Sequence, residues 1–153
     1  MADNTSTGVL AELKTVLSGI GGDSYLTDLG QSVHRGFYSH VLRDANTKFP
    51  AAVIHPPTEE ILSVQGGNKS AMLQLTIPII LAAPVGDDDK AYDQISDCLR
   101  DARRAIFRGR DRLTSITNDE AMTIGAAEPD MSADSLHVLA AFTLNVTFTE
   151  SYT

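Results

Sequence analysis

The stretch Gln65-Gly66-Gly67-Asn68-Lys69-Ser70, followed by Leu73-Gln74-Leu75-Thr76-Ile77-Pro78-Ile79-Ile80-Leu81, decides how this chain is read. Leu73, Leu75, Ile77, Ile79 and Leu81 recur at every second position, which places them on one face of an extended strand. The glycine-rich segment before them supplies the chain's clearest flexible turn. Upstream, Ala52 to Ile54 and Ile61 to Val64 also have extended character. Pro56-Pro57 interrupts them, and prolines, lacking amide hydrogens, exclude regular pairing in a central strand there. A bent edge strand returning through the turn into Leu73–Ala83 is therefore expected, together forming a long hairpin. Met72 to Pro84 contains Gln74, Thr76 and two prolines and is shorter than the roughly 20 apolar residues of a membrane helix, so it reads as a buried strand.

Downstream, Pro84-Val85-Gly86 ends that strand, and Asp87, Asp88 and Asp89 stand where negative charge favours the start of a helix. The helix is expected to run from Asp89 to about Arg108, with Tyr92, Ile95, Cys98, Leu99, Ala102, Ala105 and Ile106 as its sheet-facing stripe. A polar stretch from Asn118 to Asp134 shows no period. Leu136, Val138, Ala140, Phe142, Leu144, Val146 and Phe148 then alternate without a break as a final strand. Toward the N-terminus, Val9, Leu10, Leu13, Val16, Leu17 and Ile20 define one side of a short helix, with Ser6 or Thr7 as its cap and Gly21-Gly22 as its stop. Phe37, Tyr38 and Val41 favour a strand before the turn-like Asp44-Ala45-Asn46-Thr47. These elements predict a single α/β domain, more narrowly α+β: a mixed or antiparallel sheet packed by two main helices, with a long β-hairpin.

Composition narrows the function classes. A chain of 153 residues with 42% hydrophobic and 21% charged side chains suits one ordinary globular domain with its own core. No repeat, low-complexity segment or linker divides residues 1–153. Twenty acidic against twelve basic residues give a formal charge of -8, which argues against nucleic acid as the main ligand. Cys98 has no cysteine to pair with inside the chain, in keeping with a reducing compartment. Met1-Ala2-Asp3-Asn4-Thr5-Ser6 lacks the basic and apolar parts of a secretory signal, so a cytoplasmic start is expected.

No catalytic, metal or cofactor constellation is legible. His34, His40, His55 and His137 fall in separate segments without metal-ligand spacing. Asp87-Asp88-Asp89 lacks the placement of a calcium loop, and the glycine pairs lack a phosphate-loop context. The charged side of the Asp89–Arg108 helix carries more information. Asp89, Asp93, Asp97 and Asp101 follow at four-residue steps, and Arg100, Arg104 and Arg108 continue nearly the same line. Acid first and base last complements the helix dipole, each exposed charge contributing about 0.3–1 kcal/mol. The same polarity suits a neighbouring subunit met head to tail, and neither reading excludes the other. Six of the twelve basic residues, Arg100, Arg103, Arg104, Arg108, Arg110 and Arg112, crowd this region. Protein carboxylates fit them better than nucleic acid, because Phe107 is the only aromatic among them.

The N-terminal helix around Leu10 to Leu17, Phe49-Pro50-Ala51-Ala52-Val53 entering a strand, and the hairpin through Gly66-Gly67 into Leu73-Gln74-Leu75-Thr76-Ile77-Pro78-Ile79 form a recognisable order with two later elements. These are the helix from Asp89 and the terminal Leu144-Asn145-Val146-Thr147-Phe148. In this order, over nearly its whole length, the chain resembles the tail terminator proteins of long-tailed bacteriophages, minor tail proteins that close the tail tube; Leu26 to Thr47 matches least.

The resemblance implies a virion protein assembled in the host cytoplasm, non-enzymatic and without cofactors. It implies a homohexameric ring that sits on the last ring of tail tube protein, stops polymerisation and offers a surface to the head–tail connector or neck protein. DNA would pass through the ring without specific binding. Three regions are the candidate subunit or partner interfaces: the hairpin tip at Gly66, Gly67, Asn68 and Lys69; the Asn118–Asp134 stretch; and the helix face with Asp93, Asp97, Arg100, Arg104 and Arg108. A head-to-tail connector of the neck or stopper kind is the alternative, followed by a small enzyme and a stand-alone binding module.

Overall fold

The computed structural model describes residues 5–86, 88–130 and 137–152. In chain order the elements are α1 (Ser6–Ser18), β1 (Val33–Arg35), α2 (Tyr38–Arg43), β2 (Ala51–Ile54), β3 (Thr58–Gln65), β4 (Ser70–Pro84), α3 (Ala91–Arg108), α4 (Arg110–Leu113), β5 (Met122–Ile124), β6 (Glu128–Asp130) and β7 (His137–Ser151). The described strands form one seven-stranded mixed sheet, the α+β domain expected.

Two long strands organise it. β4 and β7 pair antiparallel from Ser70 opposite Ser151 to Pro84 opposite His137. Residues directly opposite share a face, so the alternation in both strands falls into phase: Leu73 faces the same side as Phe148, Leu75 as Val146, Ile77 as Leu144 and Ile79 as Phe142. All eight are buried beneath α1 and α3. The other face carries Met72, Gln74, Thr76 and Pro78, half-buried, and Thr76 Oγ1 donates to Asn145 Oδ1 at 2.9 Å across it.

Each long strand is flanked on its outer side by two short ones. β5 and β6 share the flank of β7, so the Asn118–Asp134 stretch, expected to lack regular structure, holds two short strands. Three residues each are too few to show a period. On β4, β3 pairs with residues 70–76 and β2 with residues 79–82. Pro78 sits opposite the break between them. Its carbonyl accepts from the His55 amide at 2.9 Å, so its missing N–H also points to that flank and removes nothing from the β7 ladder. Pro56 and Pro57 occupy the same break. The bent edge strand holds only for its β3 half, because β1 runs parallel along the outer side of β2 and all four β2 residues are buried.

Three local expectations are corrected. Phe37, Tyr38 and Val41 do not form a strand: Phe37 caps α2, and the nearby strand is Val33–Arg35. Their aromatic rings find local partners instead, with Phe37 edge-on to His40 and His55 and Tyr38 stacked on His55 at 5.7 Å. The α1 cap is Thr5, whose hydroxyl accepts the Gly8 amide at 3.1 Å; Ser6 Oγ donates to Glu59 of β3. The helix ends at Ser18, one turn before Gly21-Gly22, with Gly19 as its C-cap. Met1 to Asn4, Asp87, Leu136 and the end of the polar stretch at residues 131–134 lie outside the described residues.

Burial lowers the pKa of His55 below 6.5, and its Nε2 accepts the Tyr38 amide at 3.2 Å. The unfolded chain therefore takes up this proton first as the medium is acidified. Stability is expected to decline as pH falls below about 6.5 and to stop declining on this account once folded His55 is protonated as well. A thermal-denaturation series from pH 7.5 to 5 checks this, with His55→Gln expected to flatten the slope.

Candidate functional site

α3 has two sides because its apolar residues recur at helical spacing. Ala91, Ile95, Cys98, Leu99, Ala102, Ala105 and Ile106 are buried against the sheet and α1. Burial pushes the Cys98 thiol up to about 12, aided by Asp101 and Asp97, so it stays a protonated core group. Tyr92, expected on this stripe, is 58% exposed instead.

The outward side carries Asp93 and Asp97 in its first half and Arg100, Arg103, Arg104 and Arg108 in its second, all exposed. The guanidinium carbons of Arg104 and Arg108 lie 5.6 and 5.9 Å from the centre of the Tyr25 ring, within cation–π range. Arg110 is withdrawn from this surface: its two terminal nitrogens donate to the carbonyls of Ile116 at 3.0 Å and Asn118 at 2.7 Å, fastening the segment after α4.

Asp101 departs from the expected charged line. It is 1% exposed, and its carboxylate accepts the backbone amides of Leu26 at 3.1 Å and Thr27 at 2.7 Å and the Thr27 hydroxyl at 2.7 Å. A buried carboxylate is tolerated only when its lone pairs are satisfied in this way. Asp101 therefore anchors the loop that brings Tyr25 under the arginines.

At the hairpin tip Gly66, Gly67 and Asn68 adopt φ of 60°, 66° and 71° in succession. Glycine enters the left-handed region without steric cost, and asparagine does so more readily than most residues. With Lys69 these residues are exposed. The tip lies at the Ser70 end of β4, whereas the first half of α3 lies beside Ala83 and Pro84, roughly 45 Å away along a fifteen-residue strand. The structure thus groups the α3 candidates on one face and places Asp93 and Asp97 far from the hairpin tip, while the chain after Arg108 runs back to Thr114, whose hydroxyl donates to the Thr147 carbonyl opposite Gln74.

One feature of the hairpin was not anticipated. Ile61 is 60%, Leu62 47% and Val64 55% exposed, on a strand that pairs with β4 alone among the described strands. Ile61 and Val64 share one face of the strand and Leu62 lines the other beside Met72 and Gln74, and exposed apolar side chains on an edge strand make it a candidate contact surface. The signal was present in the adjacent Ile61-Leu62, which breaks strict alternation: the register shifts between Ile61 and Ser63, leaving Leu62 in a bulge.

Among the described residues no group of three or more His, Cys, Asp or Glu could hold a metal ion, and no described helix is long and apolar enough to cross a membrane. Replacing Asp101 by Ala is expected to lower stability by about 3 kcal/mol, since buried amides lose a charged acceptor; urea unfolding monitored by circular dichroism checks this. No protein-family model and no curated protein matches the chain.

Proposed function

We propose that this protein is a ring-forming tail terminator of a long-tailed bacteriophage. In this reading it caps the tail tube, halts its polymerisation and presents a surface to the head–tail connector or neck protein. It assembles in the host cytoplasm as a homohexamer and remains in the virion, and DNA passes through the ring without specific contacts.

The observation that carries the reading is the segregated outward face of α3. Asp93 and Asp97 stand on one half and Arg100, Arg104 and Arg108 on the other, all exposed, while Asp101, which would have blurred the boundary, is turned inward. A basic half held apart from an acidic one can take an acidic surface of a second copy in a heterologous contact, the type from which closed rings are built. The hairpin gives the subunit a second, differently composed surface. Support also comes from the element order, which resembles the terminator pattern from α1 through the hairpin to β7, and from the net charge of -8, which disfavours retention of passing DNA.

The decisive experiment is electron microscopy of particles assembled with this gene product absent. Overlong, headless tails are expected. Headless tails of normal length would move the protein to the connector, and intact particles would remove both structural roles.

A further inference from the structure

Two surfaces of this chain, one on β3 and one on α3, are complementary to each other. β3 offers Glu59, Ile61 and Val64 on one side of an open sheet edge, since they stand opposite Leu75, Leu73 and Ala71 on β4. All three are exposed, and the Glu59 carboxylate also accepts from Ser6 Oγ while retaining capacity for further donors. The second half of α3 offers the reverse charge around an aromatic: Phe107, 56% exposed, flanked by Arg100, Arg103 and Arg104.

We infer that the β3 edge of one copy seats on the second half of α3 of the next, with Ile61 against Phe107 and Glu59 against Arg103. This inference rests on the ring proposed above and names its contact. The spacing is compatible: Glu59 and Ile61, two residues apart on a strand, are separated by about 7 Å, and Arg103 and Phe107, one helical turn apart, by about 6 Å. Acid meets base and apolar meets aromatic in the same order. A second copy is the occupant because this one chain carries both halves of the match, on different elements. The contact is heterologous, so each copy keeps one β3 edge and one α3 face for its two neighbours. Val64, farther along the strand, extends the apolar part of the contact toward the hairpin tip.

Sedimentation velocity of the full chain over a concentration series, with and without purified tail tubes, tests this. Glu59→Arg and Arg103→Glu are each expected to weaken association at least tenfold, and the two together to return it to within threefold of wild type, the coupling that a direct pair requires. A chain carrying Ile61→Cys and Phe107→Cys, treated with a short bismaleimide, is expected to give a ladder of linked copies, since native Cys98 is buried. Additive effects of the charge changes together with no ladder, while wild type still forms rings, overturn the seating and leave the ring standing. Wild type that remains monomeric at every concentration and on tube ends overturns both.

Discussion

The phase match between β4 and β7 is the constraint on which the rest of the domain depends. Fifteen residues of one strand lie opposite fifteen of the other, and the apolar alternation of both points to one side. A shift of a single residue in one strand would turn its apolar side chains away from the helices and bring residues such as Gln74 and Thr76, or Asn145 and Thr147, toward them. The ladder therefore has one acceptable register, and it creates the apolar surface against which α1 and α3 are held. The flanking short strands add to this frame without deciding it.

The parts of the fold legible in the sequence are those in which a long period repeats. β4, β7, α1 and α3 each display their apolar residues over enough positions for the period to be unmistakable, and the Gly66-Gly67 turn fixes the hairpin. Of the elements of three to six residues, only β2 was legible, from the extended character of Ala52 to Ile54; the others show no period. β5 and β6 are defined by their pairing with the flank of β7, and Phe37 and Tyr38 at the start of α2 set their rings against His55, which follows β2 in the chain. Sequence propensity at Phe37 and Tyr38 favoured a strand, and tertiary contact overrode it.

The candidate surface was legible in outline and wrong at its borders for a geometric reason. A four-residue step turns about 400° around a helix, so along α3 each aspartate in the series Asp93, Asp97, Asp101 advances about 40° beyond the last. After two steps the drift is about 80°, enough to carry Asp101 from the wet side into the buried arc, where the Leu26 and Thr27 amides meet it. Tyr92 lies at the opposite border and falls on the wet side. The loop bearing Tyr25 could not be placed from sequence, because its position depends on contacts with a residue some 75 positions later.

The proline break on the outer flank of β4 divides that flank into two hydrogen-bonding territories joined by one covalent chain. β3 zips only to residues 70–76 and β2 only to residues 79–82; Pro56, Pro57 and Pro78 lack amide donors, and in the break only the His55 amide reaches across, to the Pro78 carbonyl. Opening that begins at the hairpin tip can therefore release β3 and halt at the prolines, while β2, clamped between β1 and β4, keeps its bonds. The domain thus has a stop built into its own edge, confining local opening to the strand with the most exposed apolar surface and insulating the core behind it.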